Sequence, residues 1–172
     1  MDTPAHFFWT YLAFFRNKAL RLALLFAILP DILSWGILMI SSWFTGIGFD
    51  HNLSLIPKWA FTLYGITHSI FVFTAVFLLL WMITKKVPIY AFAWLMHIIM
   101  DIPTHSKEFL GTPFLWPVSD WLFPGLSWGT PAFMMTNYTV IILLMILTLK
   151  LDKNVFLTFW KRIRKKRKKL DV

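Results

Sequence analysis

Four ionisable residues lie inside apolar stretches: Asp31 in ALLFAILPDILSWGILM, His68 in YGITHSIFVFTAVF, and His97 with Asp101 in AFAWLMHIIMDIP. A carboxylate within a bilayer costs roughly 2.5–3.5 kcal/mol on insertion scales, so such residues are rare and mark functional sites. Imidazole and carboxylate together form a nitrogen and oxygen donor set suited to a transition metal. His97 and Asp101 are spaced i, i+4, which places both on one face of a helix, one turn apart. They can coordinate one ion together, or Asp101 can ligate while His97 binds a second. The competing reading is a hydrogen-bonded His–Asp pair that only stabilises a helical bundle. His68 belongs to GITHS, in which Gly65 permits close approach and Thr67 and Ser69 can hydrogen-bond backbone or orient a ligand. His105 and Glu108, in THSKEF, read as a solvated loop, with a fifth ligand or a general base as the alternative. His51 reads as an ordinary loop residue.

The elements that carry these residues read as membrane helices. The 172-residue chain is 58% hydrophobic and 15% charged, whereas soluble domains are about 45–50% apolar and a quarter charged. Four apolar segments run from about Leu20 to Phe44, Trp59 to Ile83, Pro88 to Ile102 and Phe133 to Leu151. The third is short against the roughly 20 residues of a full span. The expected fold is an all-α, polytopic membrane bundle of four transmembrane segments plus a short N-terminal apolar helix. Residues 1–160 form one domain and residues 161–172 a basic cytoplasmic tail. The N-terminal segment TPAHFFWTYLAFF is too short to span. It can insert as a half-span against the bundle or lie flat at the interface. No cleavage-site pattern follows the first apolar run, so no cleavable signal peptide is expected.

Charge gives the orientation. Fifteen of the seventeen basic residues group on one side of the four segments, and only Lys58 and Lys107 fall on the other. The positive-inside rule makes the rich side cytoplasmic and points to the inner (plasma) membrane, with a cytoplasmic C-terminus. The net charge of +9 is concentrated in KRIRKKRKKLDV, which fits anionic lipid headgroups better than nucleic acid, since no base-reading motif accompanies it. The absence of cysteine excludes disulfides, thiolate metal sites and cysteine nucleophiles.

Heights follow from a rise of about 1.5 Å per residue above the cytoplasmic charges. Asp31 and, on the half-span reading, His6 come out at about 15 Å, His97 at about 16 Å, Asp101 at about 22 Å and His68 at about 26 Å. His68 is the outlier. Pro30 is expected to break the first span beside Asp31 and free backbone carbonyls there.

TPAH near the start, LPD in the first span, GITHS in the second, and HIIMD followed by FLWPVSD form an ordered series. It resembles a bacterial inner-membrane family of metal-dependent hydrolases, some of which carry a LexA-binding label. The resemblance covers about residues 3–121 and implies His6, Asp31, His68, His97 and Asp101 as metal ligands. The family's second acidic position after LPD is Leu33 here, and its His-Arg before THS is replaced by Leu63 and Tyr64. Those departures take away residues of a second metal site.

The first functional reading is therefore a hydrolase with a divalent ion, zinc by its donors, that activates water against a lipid-like, phosphoester-type substrate. Asp31 or Asp101, whichever is not a tight ligand, would be general base. Trp116, Trp121, Phe123 and Trp128 would form an aromatic belt at the lateral entrance. The alternatives are a non-enzymatic membrane protein with a structural metal or polar cluster, and a small ion or metal transporter.

Overall fold

The computed structural model describes residues 1–46 and 53–151. His51, the loop around Asp50 and the basic tail at 161–172 lie outside the described residues. The described chain is all-α, with six helices: α1 Thr3–Phe14, α2 Leu20–Thr45, α3 Lys58–Thr67, α4 Ile70–Thr84, α5 Phe92–Thr104 and α6 Pro131–Leu151. Helices α2 and α6 are each long and apolar enough to cross a membrane. Helices α3 and α4 make a third crossing if counted as one span, while α5, with the short helical turn Ile89–Ala91 that leads into it, is shorter. Large apolar side chains cover much of the outer surface, with Trp43 90% and Phe44 86% exposed. A patch of that kind needs an apolar surround or partner.

Helix α1 begins at Asp2, whose carboxylate accepts the Ala5 N–H at 3.0 Å, with Pro4 in the first turn. Both features favour a helix start. The chain turns sharply at 15–19, so α1 packs back along α2 and also meets α5 and α6. The Tyr138 hydroxyl donates to Asp2 at 2.9 Å and the Trp9 indole N–H to Asn137 at 2.9 Å, which fastens α6 to α1. Ala5, His6 and Thr10 are buried, so α1 belongs to the bundle.

Pro30 does not break α2. The helix continues through one wide π turn at Ile32–Gly36, and the Ser34 hydroxyl donates back to the Pro30 carbonyl at 2.8 Å. A wide turn beside a proline absorbs the missing N–H and the ring clash while keeping the axis continuous. The helix ends at Gly46, left-handed at φ 69°, whose N–H caps the Ser42 carbonyl at 2.9 Å.

The expected second span is broken instead. Helices α3 and α4 meet at 54° across His68 and Ser69. Ser69 is extended and its hydroxyl oxygen accepts the N–H groups of Phe71 and Val72 at 3.1 and 3.2 Å, an N-cap within an apolar run. The backbone groups freed at the break are met from elsewhere. The Trp94 indole N–H donates to the Thr67 carbonyl at 2.7 Å, and the Ile70 N–H donates to Phe114 O at 3.0 Å. Broken helices are tolerated at membrane depth only where protein satisfies them in this way.

Close packing comes from small residues. Ala23, Ala27 and Ala93 are fully buried where α2 meets α5, the small-residue contact that lets membrane helices approach. The segment after α5 folds back over the bundle. Leu126 and Trp128 donate N–H bonds to the carbonyls of Pro103 and Thr104 at 2.9 and 3.0 Å. A Cβ on Gly65 would come within 2.9 Å of the Trp116 ring, so this glycine admits an indole from the segment after α5.

Candidate metal centre

On α5 the buried side chains are Ala93, Trp94, His97, Ile98 and Asp101, one face of the helix. That face turns His97 and Asp101 toward the π-turned part of α2 and the break between α3 and α4. Asp31 closes the group from α2 and His68 from the break. One donor atom from each of Asp31, His68, His97 and Asp101 lies within 4.8 Å of every other. All are buried except Asp31, whose side chain is 13% exposed.

The distances within the group are informative. His68 Nε2 lies 3.0 Å from His97 Nε2, 3.4 Å from Asp101 Oδ2 and 3.6 Å from Asp31 Oδ1. His97 Nε2 lies 3.2 Å from Asp101 Oδ2 and 3.6 Å from Asp31 Oδ1. Four donors around zinc at about 2.0–2.1 Å form a tetrahedron with edges of about 3.3 Å. Five of the six edges are thus close to that length. The donors present fit a small divalent ion.

The imidazoles are aimed by their other nitrogens. His97 Nδ1 donates to the Ala27 carbonyl at 2.7 Å. His68 Nδ1 lies 2.9 Å from the Thr67 hydroxyl and 3.2 Å from the Tyr64 carbonyl. A carbonyl only accepts, so the proton sits on Nδ1 and the Nε2 lone pair points into the group. Backbone or hydroxyl partners on the far nitrogen are the usual means of orienting metal-binding histidines.

Two more histidines adjoin this group. The His6 ring stacks on His97 with centroids 3.7 Å apart, and His6 Nε2 is 2.8 Å from Asp101 Oδ1. His6 Nδ1 has no partner among the described residues. His105, expected in a solvated loop, is instead buried at 6% exposure. Its Nδ1 lies 3.1 Å from the Asp101 carbonyl and 3.5 Å from Asp101 Oδ1. The segment at 125–128 packs against it, and burial pushes its pKa down to about 4, leaving it neutral at pH 7. The Met1 amino nitrogen bonds to Asp101 Oδ1 and is 3.3 Å from His105 Nδ1. Glu108 stays exposed, as a solvated loop residue.

No family model, curated protein or solved structure matches the chain. The site therefore has to be read from its own chemistry.

A cavity of about 420 Å³ opens beside the group, lined by Thr3, Asp31, Trp35, Met39, Tyr64, His105, Leu110 and Trp128 among others. Asp31 links the two, with one oxygen toward the histidines and Oδ2 accepting from the Thr3 hydroxyl at 2.5 Å. Of the four expected belt aromatics, Trp121 and Phe123 are exposed, Trp128 lines the cavity and Trp116 packs on Gly65. His105 and Tyr64 were the residues that spacing undervalued. A Tyr four residues before His68 and a His four residues beyond Asp101, each one helical turn from its neighbour, were the available signals.

Proposed function

We propose that this protein is a membrane-embedded, metal-dependent hydrolase of lipid-like, phosphoester-type substrates. The observation that carries this reading is the near-tetrahedral convergence of Asp31, His68, His97 and Asp101 beside a largely apolar cavity. The two carboxylates balance the charge of one divalent ion, zinc by its donors, which favours binding in a low-dielectric bundle. A bound ion of this kind supplies a hydrolytic nucleophile by lowering the pKa of a coordinated water to about 7.

The chain's own residues do the rest. Asp101 and the two histidines are the buried, fixed members of the set. Asp31, partly exposed at the cavity edge, is the carboxylate able to exchange its contact and take a proton from water, and so is assigned as general base. Thr3 holds its outer oxygen. Trp35, Met39, Leu110 and Trp128 exclude water and receive the apolar part of a substrate. In this reading α3 and α4 form one broken span, α5 a short fourth crossing and α1 a half-span. The charge asymmetry supports an inner-membrane protein with a cytoplasmic C-terminus and a tail on anionic headgroups. The resemblance to the inner-membrane hydrolase family, including its ligand positions, points the same way.

The test is a phospholipase and lipid-phosphatase assay on detergent-purified protein, with elemental analysis, before and after chelation. Chelator-sensitive turnover with stoichiometric metal is expected. Turnover indifferent to chelator would refute the reading. A second reading is favoured by one observation: four protein donors already fill a tetrahedral shell, as in structural zinc sites. On that reading the ion is present, chelation lowers thermal stability, and no substrate is turned over.

A further inference from the structure

Tyr64, on α3, stands where the group of four meets the cavity. Its ring lies against His68 with centroids 4.1 Å apart and against Trp35 at 5.1 Å. Its carbonyl is 3.2 Å from His68 Nδ1, and it lines the cavity together with Asp31. Its hydroxyl reaches the segment after α5, where it donates to the Leu110 carbonyl at 3.3 Å and lies near the hydroxyl of Thr112. We propose that the Tyr64 and Thr112 hydroxyls form a neutral binding site for an oxygen of the substrate's phosphoryl group. The inference deepens the hydrolase reading and rests on it for the class of substrate.

Three observations support it. The bond from Tyr64 to Leu110 is slack, since O–H···O bonds are usually about 2.7–2.8 Å long. A hydroxyl proton rotates to suit its acceptor, and a charged oxygen is a stronger acceptor than a neutral carbonyl. Thr112 is 2% exposed, and its Oγ1 has no hydrogen-bond partner among the described residues. A buried hydroxyl left unpaired carries a desolvation cost, which a ligand oxygen arriving beside it would offset. The third observation is what else lines the cavity. Asp2 and Asp31 do, but neither lysine nor arginine does. The Met1 amino group is paired with Asp101, and the Thr3 hydroxyl donates to Asp31. Tyr64 is thus the lining hydroxyl still open to a ligand.

The choice of hydroxyls has a physical reason. A lysine or arginine at this depth would be costly whenever the site stood empty. Two hydroxyls carry no charge, yet they hold a phosphoryl group beside Asp31 and stabilise negative charge that grows on its oxygens during attack.

The experiment measures inorganic phosphate binding to detergent-purified, metal-loaded protein by isothermal titration calorimetry, with elemental analysis of every sample. Tyr64→Phe keeps the ring against His68 and removes the hydroxyl. It should retain stoichiometric metal and bind phosphate about 10- to 100-fold more weakly, the loss of a hydrogen bond to a charged group. Thr112→Val should weaken phosphate in the same direction, and Thr112→Ser, which keeps a hydroxyl, should restore it. Wild-type phosphate affinity in both Tyr64→Phe and Thr112→Val would overturn the inference, as would metal-loaded wild type that binds no phosphate. Loss of metal in Tyr64→Phe would also overturn it, by making Tyr64 a support for His68 alone. Metal content and phosphate affinity are separate readouts, so this inference can fail while the hydrolase reading stands. A wild-type chain that holds no metal would sink both.

Discussion

His68 Nε2 and His97 Nε2 face one another at 3.0 Å, each ring carrying its proton on the far nitrogen. Two lone pairs at that separation repel unless a cation or a shared proton lies between them. The carboxylates of Asp31 and Asp101 close on the same point, so the arrangement is self-consistent only around positive charge.

Removing either member of the pair on α5 should empty the proposed metal centre. His97→Ala and Asp101→Ala are expected to lose bound metal and any hydrolytic turnover, because each opens the coordination shell. Thr67→Val, which takes away the hydroxyl beside His68 Nδ1, should weaken metal affinity about 10-fold while leaving the ion competent. Elemental analysis and a competitive chelator titration distinguish the two classes. Full occupancy in both alanine variants would contradict the assignment.

Ser69 holds the break that carries His68 inward. Its hydroxyl oxygen caps α4 and its proton goes to the Trp116 carbonyl at 2.5 Å. Ser69→Ala is expected to lower stability by about 1–2 kcal/mol, the cost of a lost cap, and to loosen metal binding in parallel. Thermal unfolding in detergent measures the first, metal titration the second. An unchanged melting temperature would show that the cap is dispensable.

Gly125 is where the segment after α5 crosses back over that helix's end. A Cβ there would stand 2.5 Å from the His105 carbonyl and 2.6 Å from that of Pro103, both backbone atoms. Gly125→Ala should therefore displace the segment and cost about 1–3 kcal/mol, with His105 becoming accessible to diethyl pyrocarbonate. Gly129→Ala, whose Cβ would find nothing nearer than 3.9 Å, is the control and should be within about 0.5 kcal/mol of wild type. Equal behaviour of the two would be the contrary result.

Orientation is open to direct labelling. Gly111→Cys should react with an impermeant maleimide from outside the cell, and a reporter fused at Val172 should be active only in the cytoplasm. The fifteen-to-two division of basic residues is the ground for this. Truncation at Lys161 should leave metal content unchanged, since none of the four clustered donors belongs to the tail. Cytoplasmic labelling of Gly111→Cys would reverse the topology.

Composition and pattern determined much of this protein. The apolar runs locate the helices to within a few residues, with Leu20–Thr45 and Pro131–Leu151 found close to where hydropathy places them. The i, i+4 spacing sets His97 and Asp101 on one face because helical period is a local property. The cost of ionisable groups among apolar residues marks Asp31, His68, His97 and Asp101 as residues that must meet.

How they meet was decided by tertiary contacts. Counting rise along a straight helix put His68 too high, because Ser69 ends one helix and begins another at 54°. That break is stable only because Trp94 and Phe114, distant in sequence, satisfy the freed backbone. Pro30 is carried through by a π turn for a similar reason: Ser34 and the packed neighbours of α2 keep the axis continuous. His105 reads as a loop residue until the segment at 125–128 packs against it. Sequence records which groups are costly to leave alone, while long-range hydrogen bonds determine where the chain can bend to bring them together.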